Sequence, residues 1–295
     1  MEKVSERIIE GIESKGITVL RSESGRKYST FKSGGFIDYV ILPENENQLI
    51  QTLDALSGYK FHLIGAGSNS LISDNGLNCV VCTKRLKGYS LTGDVLKVSA
   101  GERLSVLALY TAKEGKSGLE FAVGIPATVG GAIVMNAGAH GKEIKDVLQK
   151  IRVYEQGEIK EYSPADLKMS YRYSNLSGAI VLSCVMRLIP SDASKCLKRI
   201  EDNLLYRRET QPSLPSLGSV FKRTGEKSPW EYVQGAGLKG VRIGYAEVSG
   251  KHCNFIVNTA GATSRDYLRL TDLIIEKVYE KYGVRLQPEI KFIKD

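Results

Sequence analysis

Long apolar runs are missing from this chain: none reaches the eighteen or so residues a membrane-spanning helix needs. The opening stretch MEKVSERIIEGIESKG is charged and amphipathic and lacks the apolar core of a signal peptide. A cytoplasmic protein is therefore expected. Histidine is scarce, with three in 295 residues, and no second C-x-x-C pair accompanies Cys79 and Cys82. His62 is not at ligand spacing from that pair. The segment LNCVVCTK reads as a strand, in which residues three apart face opposite ways, so the two thiols cannot share a metal. Structural, reduced cysteines are expected instead. Basic residues exceed acidic ones, 41 to 33, for a net charge of +8. The basic groups Lys84-Arg85-Leu86-Lys87, Lys195 to Arg199 and Arg207-Arg208 carry no interleaved aromatics, so nucleic acid is not the expected partner. Small anions with several phosphates account for the excess equally well. Internal repeats and low-complexity tracts are also lacking, and no protein partner can be inferred.

Glycine, by contrast, is concentrated. The stretch GLEFAVGIPATVGGAIVMNAGAHG, residues 118–141, holds six of the chain's 30 glycines and almost no charge. Such density weakens helices and strands, and a backbone passing close to a ligand is the usual physical reason for it. Peptide N–H groups in such a turn can cradle phosphates. The apolar residues between the glycines, among them Leu119, Phe121, Val129 and Ile133, argue for burial rather than a flexible linker.

The remaining periodicity gives an α+β protein. Val4, Ile8, Ile9 and Ile12 form one helical stripe, and Leu49, Ile50, Leu53 and Leu56 form another after Pro43. Strands are expected at Phe61 to Ile64, Val95 to Gly101 and Ala179 to Leu188. A helix with Val106, Leu107 and Tyr110 on one side follows the second of these. Lys150 to Tyr162 reads as a hairpin turning at Gln156-Gly157. The texture changes after Pro190, where a polar helix and the Pro-rich QPSLPSLG follow. A last helix starts near Thr263, capped with Asp266, and stops at Gly283, with Leu270, Leu273, Ile274 and Val278 as its core stripe. These features predict a first domain over residues 1–190, in lobes of about 1–85 and 86–190, and a smaller α+β unit over 191–295.

GAGSNS, Gly65 to Ser70, follows a strand as a dinucleotide fingerprint does, but Ser70 stands where the third glycine belongs. A Rossmann helix is therefore not expected. The turn still offers backbone N–H groups and the Ser68 and Asn69 side chains to a pyrophosphate.

Two glycine-rich turns about sixty residues apart, set in strand-rich lobes, resemble the two-lobed FAD-binding fold of the vanillyl-alcohol-oxidase (PCMH) type. The segments GAGSNSLISDNGL, GLEFAVGIPATVGGAIVMNAGAHGKE, YRYS, GSVFK, AGLKG, VSGKHCNFIVN and QPEIKFI occur in the order found in the UDP-N-acetylenolpyruvoylglucosamine reductase family. The resemblance runs from about Ser29-Thr30-Phe31 to Asp295, and it is to the shorter type, without an extra substrate-loop insertion. It implies non-covalent FAD held over residues 1–190, NADPH as electron donor, and UDP-N-acetylglucosamine enolpyruvate bound over 191–295. It implies that Gly65, Gly67, Ser68 and Asn69 hold the cofactor together with Gly124, Ile125, Pro126, Thr128, Gly130, Gly131 and Ala132. Arg172, Ser219 and Glu289 match the family's catalytic residues. Tyr171, Lys222 and Asn254 match substrate-binding positions, with His252 supporting them. Hydride delivered to C3 of the enol ether builds negative charge at C2, which an Arg and a neutral carboxylic acid facing the substrate carboxylate would stabilise. This asks Glu289 to be protonated, through burial or a neighbouring acid, and Ser219 to protonate C2.

Departures from the family pattern stand at Ala127, Thr224, Trp230 and Tyr245, and Ala127 is expected to bring a methyl group close to the flavin. Two other readings compete: an enzyme of the same FAD fold with a different substrate, and a non-catalytic module binding flavin or a nucleotide sugar. The joint presence of Arg172, Ser219 and Glu289 argues against the first, and the second predicts bound ligand without NADPH oxidation.

Overall fold

Local chemistry sets the helix ends. In a computed structural model describing residues 2–176 and 178–295, the helix Glu6–Glu13 buries Ile9 and Ile12. Glu46–Ala55 begins after Asn45, whose side chain accepts from the Gln48 N–H. Ser264–Tyr282 carries the expected capping box, Thr263 with Asp266, and stops at Gly283 in the left-handed region. The hairpin is also as expected: Leu148–Glu155 and Glu158–Tyr162 pair antiparallel across Gln156 and Gly157, both at positive φ.

One expected face is wrong. In the helix Leu104–Lys113 the buried residues are Leu104, Leu107, Ala108, Thr111 and Ala112, and Val106 is 44% exposed. The buried stripe starts at Leu104, two positions before the apolar set read from the sequence, and shares Leu107 with it. Tyr110 is half-buried, its ring 4.9 Å from that of Tyr89.

The chain forms two compact units from six alternating segments. The first comprises Met1–Val19, Ile41–Ala66 and Val81–Arg207, and the second Leu20–Val40, Gly67–Val80 and Arg208–Asp295. The compact units are therefore not sequential, whereas a single cut after Pro190 would be. The strand Ile189–Pro190 pairs back on Lys116–Ser117 within the first unit. A four-stranded sheet has the order Thr18–Ser24, Phe36–Leu42, Leu77–Cys82, His62–Ile64.

The first unit's main sheet has the order Glu158–Tyr162, Leu148–Glu155, Ile180–Arg187, Val95–Ser99, Tyr89–Thr92, antiparallel throughout. Its core joins Leu96 and Val98 to Leu104, Leu107, Val129 and Ile133, so the middle of the glycine-rich stretch is packed, as expected.

The second unit has an antiparallel sheet in the order Ser216–Ser219, Phe255–Asn258, Ala246–Val248, Arg242–Ile243. Helix Ser264–Tyr282 places Tyr267, Leu270, Ile274 and Val278 in its core. The three segments of this unit are stitched together by hydrogen bonds. Thr30 Oγ1 donates to the Ser216 carbonyl (2.6 Å) and Asn258 Nδ2 to the Phe31 carbonyl (2.8 Å). The Asp74 carboxylate accepts from the Ser264 and Arg265 N–H groups, where the last helix leaves its first donors unpaired. After GAGSN the chain continues as the strand Ser70–Ile72 and not as a helix, so the Rossmann arrangement is absent there.

All five cysteines are buried and free, and among the described residues no His, Cys, Asp or Glu cluster suits a metal. Burial, then the Asp295 charge, pushes the Cys79 thiol up to about 12. The Cys82 thiol is also raised by burial.

Candidate active site

In the second unit, Glu289 lies between the bridge residue Pro288 and the strand Lys291–Ile293. Ser219 pairs with Phe255, and beyond it the Val220 N–H donates to the Asn254 carbonyl (2.8 Å). The Val220 carbonyl accepts from the Glu289 N–H (2.8 Å), and the Lys222 N–H donates to the Gln287 carbonyl (2.9 Å). Phe221 and Pro288 bridge antiparallel. On the other edge, Lys291–Ile293 runs parallel to Ser70–Ile72. The Lys291 N–H donates to the Asn69 carbonyl (3.0 Å), and Asn69 Nδ2 donates to the Glu289 carbonyl (3.1 Å). Ser219, Glu289 and the turn ending at Asn69 thus belong to one hydrogen-bonded ribbon.

Gly218 explains why serine follows glycine here. At φ +79 it breaks the register between Ser216 and Ser219, a bulge that re-aims the following side chain. Ser219, Lys222 and Glu289 all keep partial solvent exposure.

Asn254 acts from behind the ribbon. It is 5% exposed, its Oδ1 accepts from the Phe221 N–H and its Nδ2 donates to the Phe221 carbonyl, both at 3.0 Å. One hydrogen bond at each polar end clamps the Ser219–Lys222 segment and leaves a second Nδ2 hydrogen and a second Oδ1 lone pair for a substrate. His252 Nδ1 accepts from the Asn254 N–H (3.2 Å). Burial lowers the His252 pKa against an opposing backbone hydrogen bond, which suits a neutral acceptor.

Gly67 is buried at φ +71, and an added Cβ would overlap the Tyr28 carbonyl oxygen. The Thr30 N–H donates to the Gly67 carbonyl (3.1 Å), which ties Ser29-Thr30-Phe31 to this turn.

In the first unit, Tyr171 and Arg172 form the tip of a tight turn. The Ser170 and Tyr173 N–H groups each donate to the other's carbonyl at 3.0 Å. Arg172 adopts φ +54, a left-handed conformation that costs energy for a residue with a Cβ and often marks a functional site. Its Nη2 donates to the Gly138 carbonyl (3.2 Å), and its guanidinium lies 5.2 Å from the centre of the half-exposed Tyr171 ring. Asn136, fully buried at φ +39, donates to the Ser170 carbonyl and to Glu143 Oε2, both at 2.9 Å. The sequence reading missed Asn136, and an asparagine inside a glycine-rich run was the available signal.

The segment 124–132 differs from expectation in one respect. The N–H groups of Ile125, Val129, Gly130 and Ala132 already donate to the Ala122, Glu102, Ala100 and Thr128 carbonyls, and that of Gly131 to Thr128 Oγ1 at 3.4 Å. Few peptide donors remain here to cradle a phosphate. Packing explains part of the glycine content, since a Cβ on Gly65 would strike Thr128 Oγ1. Gly131 is different: it is exposed, and an added Cβ would meet only Thr128 Oγ1, at 3.3 Å.

Arg207, read from the sequence only as charge, lies against Gly124, where a Cβ would come within 2.8 Å of its Cδ. It has no ion pair or hydrogen bond among the described residues, and burial lowers its pKa. An unpaired, half-buried cation beside the half-buried Gly124 suits an anionic ligand such as a pyrophosphate. No sequence signal could have placed it there.

A family model described as "FAD binding domain" matches residues 37–163, and one described as "UDP-N-acetylenolpyruvoylglucosamine reductase, C-terminal domain" matches 211–293. The curated UDP-N-acetylenolpyruvoylglucosamine reductase of Rubrobacter xylanophilus is 39% identical, covering 91% of this chain and 93% of its own. The protein of that name from Geobacillus kaustophilus is 37% identical, covering 99% and 98%.

The chain belongs to the UDP-N-acetylenolpyruvoylglucosamine reductase family.

A crystal structure of the reductase (MurB) from Thermus caldophilus superposes with a TM-score of 0.83 at 32% identity, covering 94% of this chain and all of that one. The α+β fold, with an FAD-binding domain and a reductase C-terminal domain, is therefore the expected one. Within this reductase family pattern, the departures are accommodated individually. Ala127 packs on the first unit's core, and its carbonyl accepts from the Leu104 N–H. Thr224 Oγ1 donates to the Lys222 carbonyl (3.2 Å), and Trp230 packs edge-on to His252. Tyr245 is 55% exposed, and its carbonyl accepts from Thr259.

Proposed function

We propose that this protein is a flavoenzyme that reduces UDP-N-acetylglucosamine enolpyruvate to UDP-N-acetylmuramate with NADPH as electron donor. It would work in the cytoplasm, in peptidoglycan synthesis, and so bear on cell-wall growth, cell shape and division. The observation that carries this reading is the ribbon in which the segment after Ser219 is hydrogen-bonded to Glu289, and Glu289 to the turn ending at Asn69. Family membership supports it.

The turn 65–69 and the segment 124–132 would hold FAD, with Arg207 giving positive charge beside Gly124. FAD supplies, when bound, the hydride that C3 of the enol ether receives. Arg172 and a protonated Glu289 stabilise the charge that develops on the substrate's carboxylate and C2. The Ser219 hydroxyl gives its proton to C2, a weak acid serving a strongly basic enolate carbon. Lys222 neutralises an anionic group of the substrate, and Tyr171 lines the pocket beside Arg172. Asn254 and His252 keep the Ser219–Lys222 segment in place. The sequential division, FAD over 1–190 and substrate over 191–295, belongs to this proposal. It needs one refinement, since segments 20–40 and 67–80 pack with the C-terminal residues.

The test is anaerobic. The purified protein is reduced with NADPH, UDP-N-acetylglucosamine enolpyruvate is added, and the visible flavin absorbance is followed. Rapid return of colour is expected. Bleaching without recovery would overturn the substrate assignment, and a protein that takes up no FAD would overturn the flavoenzyme reading.

A further inference from the structure

The chain returns to the cofactor turn after more than two hundred residues and lays Glu289 beside it. The parallel register matches Ser70 with Lys291, Leu71 with Phe292 and Ile72 with Ile293. Continued one step back, this register sets the end of the GAGSN turn alongside Glu289 and Ile290. Two hydrogen bonds fix the place, both involving Asn69. Its main-chain carbonyl accepts from the Lys291 N–H (3.0 Å), and its side-chain Nδ2 donates to the Glu289 carbonyl (3.1 Å). The other edge of residue 289 is held by its own N–H on the Val220 carbonyl (2.8 Å). The peptide groups on both sides of the Glu289 Cα are therefore tied, one to the turn and one to the residue after Ser219.

We propose that Asn69 is a positioning residue for Glu289, through which occupancy of the Gly65–Asn69 turn by the cofactor sets the carboxyl for the substrate. The inference rests on the reading of Glu289 given under Proposed function. A strand side chain follows its backbone, and a catalytic group must be held within about half an ångström of its productive place. Loss of the Nδ2 bond releases the Glu289 carbonyl from the Asn69 side chain, while the main-chain bond from the Lys291 N–H to the Asn69 carbonyl remains. A ligand that orders the turn orders residue 289 by the same contacts. The cofactor would thus contribute to building the substrate site as well as to the reaction.

Two measurements test this. The first needs no variant: amide exchange of peptides covering 287–293 is compared in the FAD-free and FAD-loaded protein. Slower exchange on loading, including at the Lys291 amide, is expected, and unchanged exchange would overturn the coupling. The second is a double-mutant cycle on the loaded enzyme at saturating FAD, with Asn69→Ala, Glu289→Gln and the pair. Asn69→Ala should slow flavin reoxidation by the enolpyruvyl substrate by about tenfold in the parent and by less than about twofold in the Glu289→Gln background. Whatever Asn69→Ala costs flavin reduction by NADPH through its place in the cofactor turn should be the same in both backgrounds, so that only the reoxidation step shows coupling to Glu289. Equal losses in both backgrounds would make Asn69 a merely structural or cofactor-holding residue and overturn the inference. If Glu289→Gln itself leaves reoxidation intact, the catalytic reading of Glu289 falls, and the inference with it.

Discussion

Tyr267 is the largest of the fully buried side chains, and its hydroxyl has no hydrogen-bond partner among the described residues. Burial pushes the phenol pKa up, so the group stays neutral. An orphan hydroxyl costs its desolvation without return, so Tyr267→Phe should leave the melting temperature unchanged or raise it, by up to about 1 kcal/mol of stability. Gly67→Ala should do the opposite: its methyl meets the Tyr28 carbonyl in a backbone conformation that favours glycine, and a loss of about 2 kcal/mol or more is expected in denaturant titrations, with weaker FAD uptake. Ser219→Ala should spare flavin reduction by NADPH and slow reoxidation by substrate by roughly 10²–10⁴, as stopped-flow absorbance would show. Arg207→Gln should weaken FAD binding by about tenfold, with a shallower dependence on salt, in a fluorescence titration. Sequence motifs pointed to Ser219, Arg172 and Glu289 because each sits in a short local pattern. The clamp that Asn254 places on Phe221 was not legible, because the two lie 33 residues apart, a separation no local pattern encodes.

Among the elements, the helix Ala193–Thr210 buries Cys196 and Ile200 in the first unit's core and is tied down beside them by Glu120. Glu120 accepts from Ser117 Oγ (2.7 Å), the Gly118 N–H (2.7 Å) and Arg199 Nη1 (3.1 Å), and its carbonyl accepts from Asn203 Nδ2 (3.0 Å). Burial alone would raise its pKa, but the hydrogen bonds from Gly118, Ser117 and Arg199 outweigh it and hold the carboxyl below its usual 4.5. A carboxyl lowered in the folded state stabilises the protein above its unfolded value, and that contribution fades as pH falls through the lowered one. Glu120→Gln should therefore destabilise at neutral pH, and the gap between parent and variant melting temperatures should narrow below about pH 4.5. Elements with strong end signals were legible: the Thr263–Asp266 box and Gly283 bound the last helix, and Gln156-Gly157 marks the hairpin turn. The face of Leu104–Lys113 was not, because apolar residues stand on nearly all its sides and only packing selects the buried set. The role of the glycine-rich segment was legible only in outline, since its peptide donors turn out to be largely engaged by its own unit.

For the molecule as a whole, composition and motif order were enough to reach the fold and the family, but not the division into compact units. Nothing in residues 20–40 or 67–80 announces that they pack with residues beyond 208. That information lies in pairings such as Thr30 with Ser216, Asn69 with Glu289 and Phe31 with Asn258, which span 186, 220 and 227 residues. The same pairings bear on the time course of folding. Contacts this distant in sequence close large loops before they return any stabilisation, and they form late. The first unit's antiparallel sheet is built from nearer neighbours and has no such wait. In refolding from denaturant, helical and strand signal should return well before the capacity to reoxidise flavin, and simultaneous recovery would argue against this order. Activity would then be the last property the chain acquires and, under mild denaturation, the first it gives up.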